Sequence, residues 1–307
     1  MTGRRDARSG AVAIGAVASS TIAGPSPSPT FDMRGEYSSG MSTSPLALPE
    51  PWTLVADAYT AEMEPQFALY ARDALALAAL PVGARVLDVA TGPGTLAMLA
   101  AGAGHTVSAI DFSPSMIDNF RARLAAPGAP AIDVRVGDGQ ALPFDDATFD
   151  GAFSMFGLMF FPDRAVGFRE LRRVLRPGGR AIVSSWAPFL GVFSTLFETI
   201  RALLPDVPFA GGKPPLGTAD EMSAEMAAAG FGGVTVHTVA HTLRAPSLAQ
   251  FWASVQRTNV QLVLLQRRLG AERWAEVGAG IHDRLRAQLG DGEVSAVGTA
   301  FLGVGTR

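Results

Sequence analysis

The feature that most constrains this chain is a rhythm: from Arg85 onward, short apolar segments with strand character alternate with segments of helical periodicity. Strand-like stretches fall at 85–89, 106–110, 132–136, 151–154 and 180–185, and helical patterns at 96–103, 115–124 and 165–175 lie between them. Parallel strands need crossovers of a dozen residues or more, which helices supply. The pattern therefore predicts an α/β fold with a doubly wound, mostly parallel sheet. Beyond Trp186 the rhythm changes to a helix at 193–204, a Pro/Gly loop at 205–217 and a helix at 219–229 stopped by Gly230. A strand at 234–239, about three helical patterns over 248–289 and a last strand at 294–304 bring the expected sheet to seven strands. A helical insertion of that size is too long for a plain connection. It is expected to cap the C-terminal edge of the sheet, where ligands bind in this class.

The expected organisation follows from composition shifts. Residues 1–48 hold a Ser-, Pro- and Gly-rich stretch with little to bury and are read as a disordered extension. An Ala/Leu-rich helical lid is expected over 49–80, as two helices broken near Pro65, then a Rossmann-like core over 81–188. The last strands, with a cap insertion at about 246–290, occupy 189–307. With no cysteine in 307 residues, disulfides, thiolate metal sites and cysteine nucleophiles are excluded, and no metal site is expected. A net charge of −3 lacks the basic footprint of a general nucleic-acid binder, and the Arg169, Arg172, Arg173, Arg176 stripe reads as a solvated helix face. No apolar run reaches the roughly 18 residues of a membrane span. A small-molecule partner and a cytoplasmic location are expected.

The strongest local signal is Asp88-Val89-Ala90-Thr91-Gly92-Pro93-Gly94: a strand, a Gly-x-Gly turn, then a helix. Gly92-x-Gly94-x-x-Ala97 also satisfies a loose dinucleotide fingerprint, and Asp111 lies 19 residues beyond Gly92, where a ribose-binding acid is expected. Spacing alone thus leaves NAD open beside other adenosine cofactors. Asp88 is expected to decide between them from the mouth of the strand. A carboxylate ~6 Å from a phosphate charge, at an effective dielectric near 20, costs on the order of 3 kcal/mol, whereas a sulfonium would be attracted.

Several separated segments together resemble the class I S-adenosylmethionine-dependent methyltransferases, in the small-molecule branch similar to the ubiquinone/menaquinone-biosynthesis methyltransferases. They are the Asp88 loop, Ile110-Asp111-Phe112-Ser113-Pro114-Ser115-Met116, Asp138-Gly139-Gln140, Phe149-Asp150 and Leu175-Arg176-Pro177-Gly178-Gly179. The resemblance implies that Asp88, Thr91, Gly92 and Gly94 surround the methionine moiety of S-adenosylmethionine. Asp111 would accept from both ribose hydroxyls, with Phe112 and Met116 flanking the adenine. Asp138, Gly139 and Gln140 would read the adenine edge, and Ser154 completes the cofactor set. Many relatives carry a third glycine where this chain has Ala90, and histidines where it has the apolar run Ser154 to Phe161. Phe156, Met159, Phe160 and Trp186 are accordingly candidates for a pocket that takes a lipophilic or planar methyl acceptor. His241, near the sixth strand, is the histidine nearest to a candidate base, but a structural role is expected for it, and no catalytic residue is assigned. The function implied is methyl transfer to oxygen, carbon or nitrogen of a small acceptor. An NAD-dependent oxidoreductase and a non-catalytic binder of the same cofactor are the alternatives.

Overall fold

The computed structural model describes residues 44–205 and 213–307. The extension predicted to be disordered falls, through residue 43, outside the described residues, as does part of the 205–217 loop. The end of that extension is corrected: Pro45–Ala47 form a turn of 3-10 helix started by Ser44, and Leu46 is buried. Its carbonyl accepts the Trp52 indole N–H at 2.9 Å, so an apolar anchor and a satisfied backbone group hold this stretch in place.

Two helices follow, α1 (Pro49–Thr53) and α2 (Ala56–Ala78). The break is at residues 54–55, and Pro65 lies inside α2 rather than ending it. Pro65 and Ala61, whose carbonyl loses its partner to the proline, are both exposed, so water replaces the missing bond. The alternating segment then gives β1 (Arg85–Val89), α3 (Thr95–Gly102), β2 (Thr106–Asp111), α4 (Pro114–Leu124), β3 (Asp133–Val136), β4 (Phe149–Met155), α5 (Arg164–Val174) and β5 (Leu175–Trp186). The chain continues through α6 (Val192–Leu203), α7 (Ala219–Ala228) and β6 (Gly232–Ala245). Three helices, α8 (Leu248–Thr258), α9 (Val260–Leu269) and α10 (Ala271–Leu289), precede β7 (Val294–Thr306).

The seven strands lie in the order β3-β2-β1-β4-β5-β7-β6. β1 to β5 pair in parallel, and β7 inserts antiparallel between β5 and β6. On one face, α2, α3 and α4 cover the sheet through Tyr70, Leu96, Ala100 and Phe120. α5 and α7 cover the other through Phe168, Leu171, Met222 and Met226. Both faces of the central strands are thus closed, which is why β1 is buried from Val86 to Val89 and apolar there except at Asp88. A separate apolar cluster joins α6 to the three helices between β6 and β7, through Leu196, Ile200, Phe251, Leu262 and Ile281. The helical cap therefore includes α6, not only residues near 246–290.

Candidate functional site

At the C-terminal ends of β1, β2, β4 and β5 the strand order leaves a crevice, and α2 and the cap close over it. The result is one cavity of about 1180 Å3. Its nucleotide-like end is built on Asp111, the last residue of β2. Oδ2 accepts the Gly92 N–H and Oδ1 the Ser113 N–H, both at 2.8 Å, so the carboxylate is fixed by backbone on both oxygens. Each oxygen keeps one acceptor site, and the residue lines the cavity. Burial pushes its pKa up to about 6, against the pull of those two N–H groups. Ser113 caps α4, leaving Asp111 free of that duty.

The same end is completed by Gly92, Phe112, Met116, Asp138, Gly139 and Gln140, all on the cavity wall. Gly92 has φ +55°, and nothing lies within 4 Å of the position its Cβ would take. At Gly139 a Cβ would stand 2.4 Å from the Phe161 ring, so only glycine lets this loop lie against it. Asp138 Oδ1 accepts the Gln140 N–H at 2.8 Å, and Gln140 Oε1 accepts the Asp163 N–H at 2.9 Å, which ties the loop to the start of α5. A carboxylate offering two adjacent acceptor sites, beside an apolar slot with backbone edges, fits the ribose and adenine of an adenosine cofactor.

Four expected contacts are corrected. Asp88 is 1% exposed and off the cavity wall. Its Oδ2 accepts Thr91 Oγ1 at 2.6 Å and the Ala97 N–H at 3.2 Å, so from the strand it caps the first turn of α3. Burial raises its pKa to about 7, and its hydrogen bonds turn it toward Thr91 and α3 rather than onto the cavity wall. Thr91 spends its hydroxyl on Asp88, and Gly94, at φ +85°, backs onto the Phe120 ring. Ser154 Oγ accepts the Leu158 N–H at 3.1 Å. These residues shape the loops without reaching the cavity.

The other end is aromatic. Phe156, Met159, Phe160 and Trp186 all line it. The Phe156 and Trp186 rings stack at 4.2 Å and 22°, and Phe67 and Tyr70 meet both edge-on. Two non-glycine residues here take left-handed backbone, Ala90 at φ +55° and Phe156 at φ +57°. Such strain persists where the surroundings enforce it, commonly at ligand sites. Ala90 has room for its methyl because Gly157 faces it: a Cβ on Gly157 would lie 2.2 Å from that of Ala90.

Sequence reasoning missed the face of α2 that lines the cavity. Tyr59, Glu62, Met63, Gln66, Phe67 and Tyr70 stand at i, i+3, i+4, i+7, i+8 and i+11, a helical stripe legible in hindsight. Among the described residues no histidine lines the cavity. His241 instead meets Asp73 Oδ2 at 2.6 Å and lies edge-on to Tyr70. His105, just before β2, has a buried Nδ1 with no partner. Of the arginine stripe, Arg169 and Arg176 are exposed as expected, Arg176 pairing with Asp150, whereas Arg172 and Arg173 are half-buried, on the Gly230 carbonyl and on Glu170 and Asp146.

Residues 87–183 match the family model described as a methyltransferase domain. Over that segment the chain is similar to methyltransferase domains. An uncharacterised protein of Mycobacterium tuberculosis is 41% identical over 133 residues, 43% of this chain and 48% of that one. A demethylmenaquinone methyltransferase of Corynebacterium kroppenstedtii is 40% identical over 127 residues, 41% of this chain and 52% of that one. The matched segment thus spans about half the length of the curated relatives. A putative methyltransferase of Bacillus halodurans shares the fold at 21% identity and a TM-score of 0.54, covering 77% of this chain and 97% of that one. Residues 87–183 contain the Asp111 end of the cavity, whereas α2 and the cap lie outside them. Among the described residues no helix is long and apolar enough to cross a membrane, and no group of three acidic or histidine side chains could hold a metal.

Proposed function

We propose that this chain transfers a methyl group from S-adenosylmethionine to oxygen, carbon or nitrogen of a small lipophilic or aromatic acceptor. The observation that carries the reading is the backbone-anchored carboxylate of Asp111, open to a cavity whose far end is walled by aromatic rings. When bound, the cofactor supplies a methyl group already activated on a sulfonium. The protein's task is then chiefly to bind, orient and exclude water. Asp111 holds the ribose hydroxyls, and the Asp138 to Gln140 loop and Phe112 enclose the base. The Phe156 and Trp186 pair gives a planar acceptor a flat surface, and α2 with the cap shuts out solvent. The similarity to a demethylmenaquinone methyltransferase supports an acceptor of this lipophilic, ring-bearing kind.

Calorimetric titration with S-adenosylhomocysteine and with NADH tests the reading, followed by a screen of phenols, quinols and amines with methyl-labelled cofactor. Micromolar binding of S-adenosylhomocysteine without NADH binding is expected. The reverse preference would replace the proposal with an oxidoreductase. Cofactor binding without transfer to any acceptor would leave a non-catalytic binder.

A further inference from the structure

We infer that Glu62 receives a hydrogen bond from an O–H or N–H of the methyl acceptor, so that the cavity selects acceptors bearing such a donor and rejects anionic ones. The inference rests on the methyltransferase reading above and deepens it. Its basis is where Glu62 stands. Tyr59, three residues earlier on α2, lies close enough to Asp111 to feel its charge, and Phe67, five residues later, touches Phe156 and Trp186. At about 1.5 Å of rise per residue, Glu62 therefore stands between the cofactor end and the aromatic end of one cavity wall.

Its carboxylate is held in place from the cap. Oε2 accepts Ser254 Oγ at 2.5 Å and Oε1 accepts Arg257 Nε at 3.0 Å, both from α8. Arg257 Nη2 also stands 3.0 Å from Oε1, so the acceptor site left open is on Oε2. Partial burial pulls the Glu62 pKa up, but the Arg257 and Ser254 hydrogen bonds outweigh it and hold the group below the usual carboxylate range. Besides aromatic and aliphatic groups the cavity wall carries the cations Arg201, Lys213, Arg244 and Arg257, and Arg257 is the one paired with Glu62, so the open Oε2 site sets the choice locally. A donor group is matched, an ether leaves the carboxylate unsatisfied, and a carboxylate is repelled.

The test uses full-length protein saturated with S-adenosylhomocysteine and three probes of one shape: 2-naphthol, 2-methoxynaphthalene and 2-naphthoate. Binding is read by quenching of tryptophan fluorescence. Wild type should prefer 2-naphthol to the other two by about tenfold or more, the usual worth of a hydrogen bond to a charged group. Glu62→Gln should shrink both ratios severalfold and raise the absolute affinity for 2-naphthoate, a gain that mere loosening of the α2–α8 seam would not produce. Equal binding of the three probes to wild type overturns the inference without needing any variant. So do ratios unchanged in Glu62→Gln. Failure of wild type to bind S-adenosylhomocysteine overturns the function reading and this inference together, whereas binding it without discriminating the probes overturns this one alone.

Discussion

Gly157→Ala should destabilise the protein through one contact, and Ala90→Gly should rescue it. Gly157 has φ −102° and ψ −54°, ordinary helical backbone, so the added methyl brings no conformational strain of its own. It would, however, sit 2.2 Å from the Ala90 Cβ, against the roughly 3.5–4.0 Å of a normal carbon contact. The two loops must part by more than about 1 Å, and overpacking of this kind costs about 1–3 kcal/mol. Ala90→Gly removes the opposing methyl and also releases a left-handed alanine, worth about 1 kcal/mol, so alone it should be neutral or mildly stabilising. The double variant should lie within about 1 kcal/mol of wild type, a coupling energy of about 1–3 kcal/mol. Urea unfolding of the four proteins measures the cycle, and heating should show Gly157→Ala melting about 2–4 °C lower per kcal/mol lost. Additivity, with the double variant no better than Gly157→Ala, would refute the claim that these two positions interlock.

Asp111→Ala should weaken S-adenosylhomocysteine by about a hundredfold or more, two hydrogen bonds to a charged group at about 1.5–3 kcal/mol each; undiminished affinity in calorimetry would remove Asp111 from the site. Because burial raises the Asp111 pKa to about 6, affinity should rise with pH through that value and binding near pH 5.5 should release a proton, measured in buffers of different ionisation enthalpy. Proton uptake would contradict it. In the ligand-free protein Asp88 and Asp111 titrate at about 7 and about 6, above the ordinary 3.8, so the native state holds more protons than the unfolded chain between about pH 4 and 7. Their contribution to stability should therefore decline as pH rises across that window, and Asp88→Asn should flatten the trend in urea melts. Trp186→Ala should cost about 3–5 kcal/mol of stability if the ring is as well packed as a core aromatic, and should abolish binding of planar probes before it affects S-adenosylhomocysteine.

Most of the sheet could be read from the chain because strand, turn and helix signals there are local. The run 85–89 is β1 to the residue, and Ser113 and Pro114 announce the start of α4. Asp111 was legible for the same reason, being the last residue of a strand at a fixed distance from a glycine turn. Asp88 was misread because sequence places a side chain at a strand's mouth but does not say which way it turns. Only the folded loop brings Thr91 and the Ala97 N–H to meet it. Pro65 was overweighted, since the penalty for a proline inside a helix depends on whether the orphaned carbonyl reaches water. The wall contributed by α2 was hidden differently. Its stripe of Tyr59, Glu62, Gln66 and Phe67 looks like any buried helix face until the fold shows a cavity opposite it.

The pairing of Ala245 with Val294 closes the β6–β7 ribbon immediately where α8 to α10 leave and rejoin it. Paired residues on antiparallel strands have Cα atoms only about 4.5–5.5 Å apart, so the whole excursion from 246 to 293 departs and returns through one narrow gate. Such an attachment makes α8 to α10 exchangeable: a graft of different length or sequence spliced at this gate need not alter the register of any strand. Sequence change can thus accumulate in one appendage while the loops around Asp111 stay as they are.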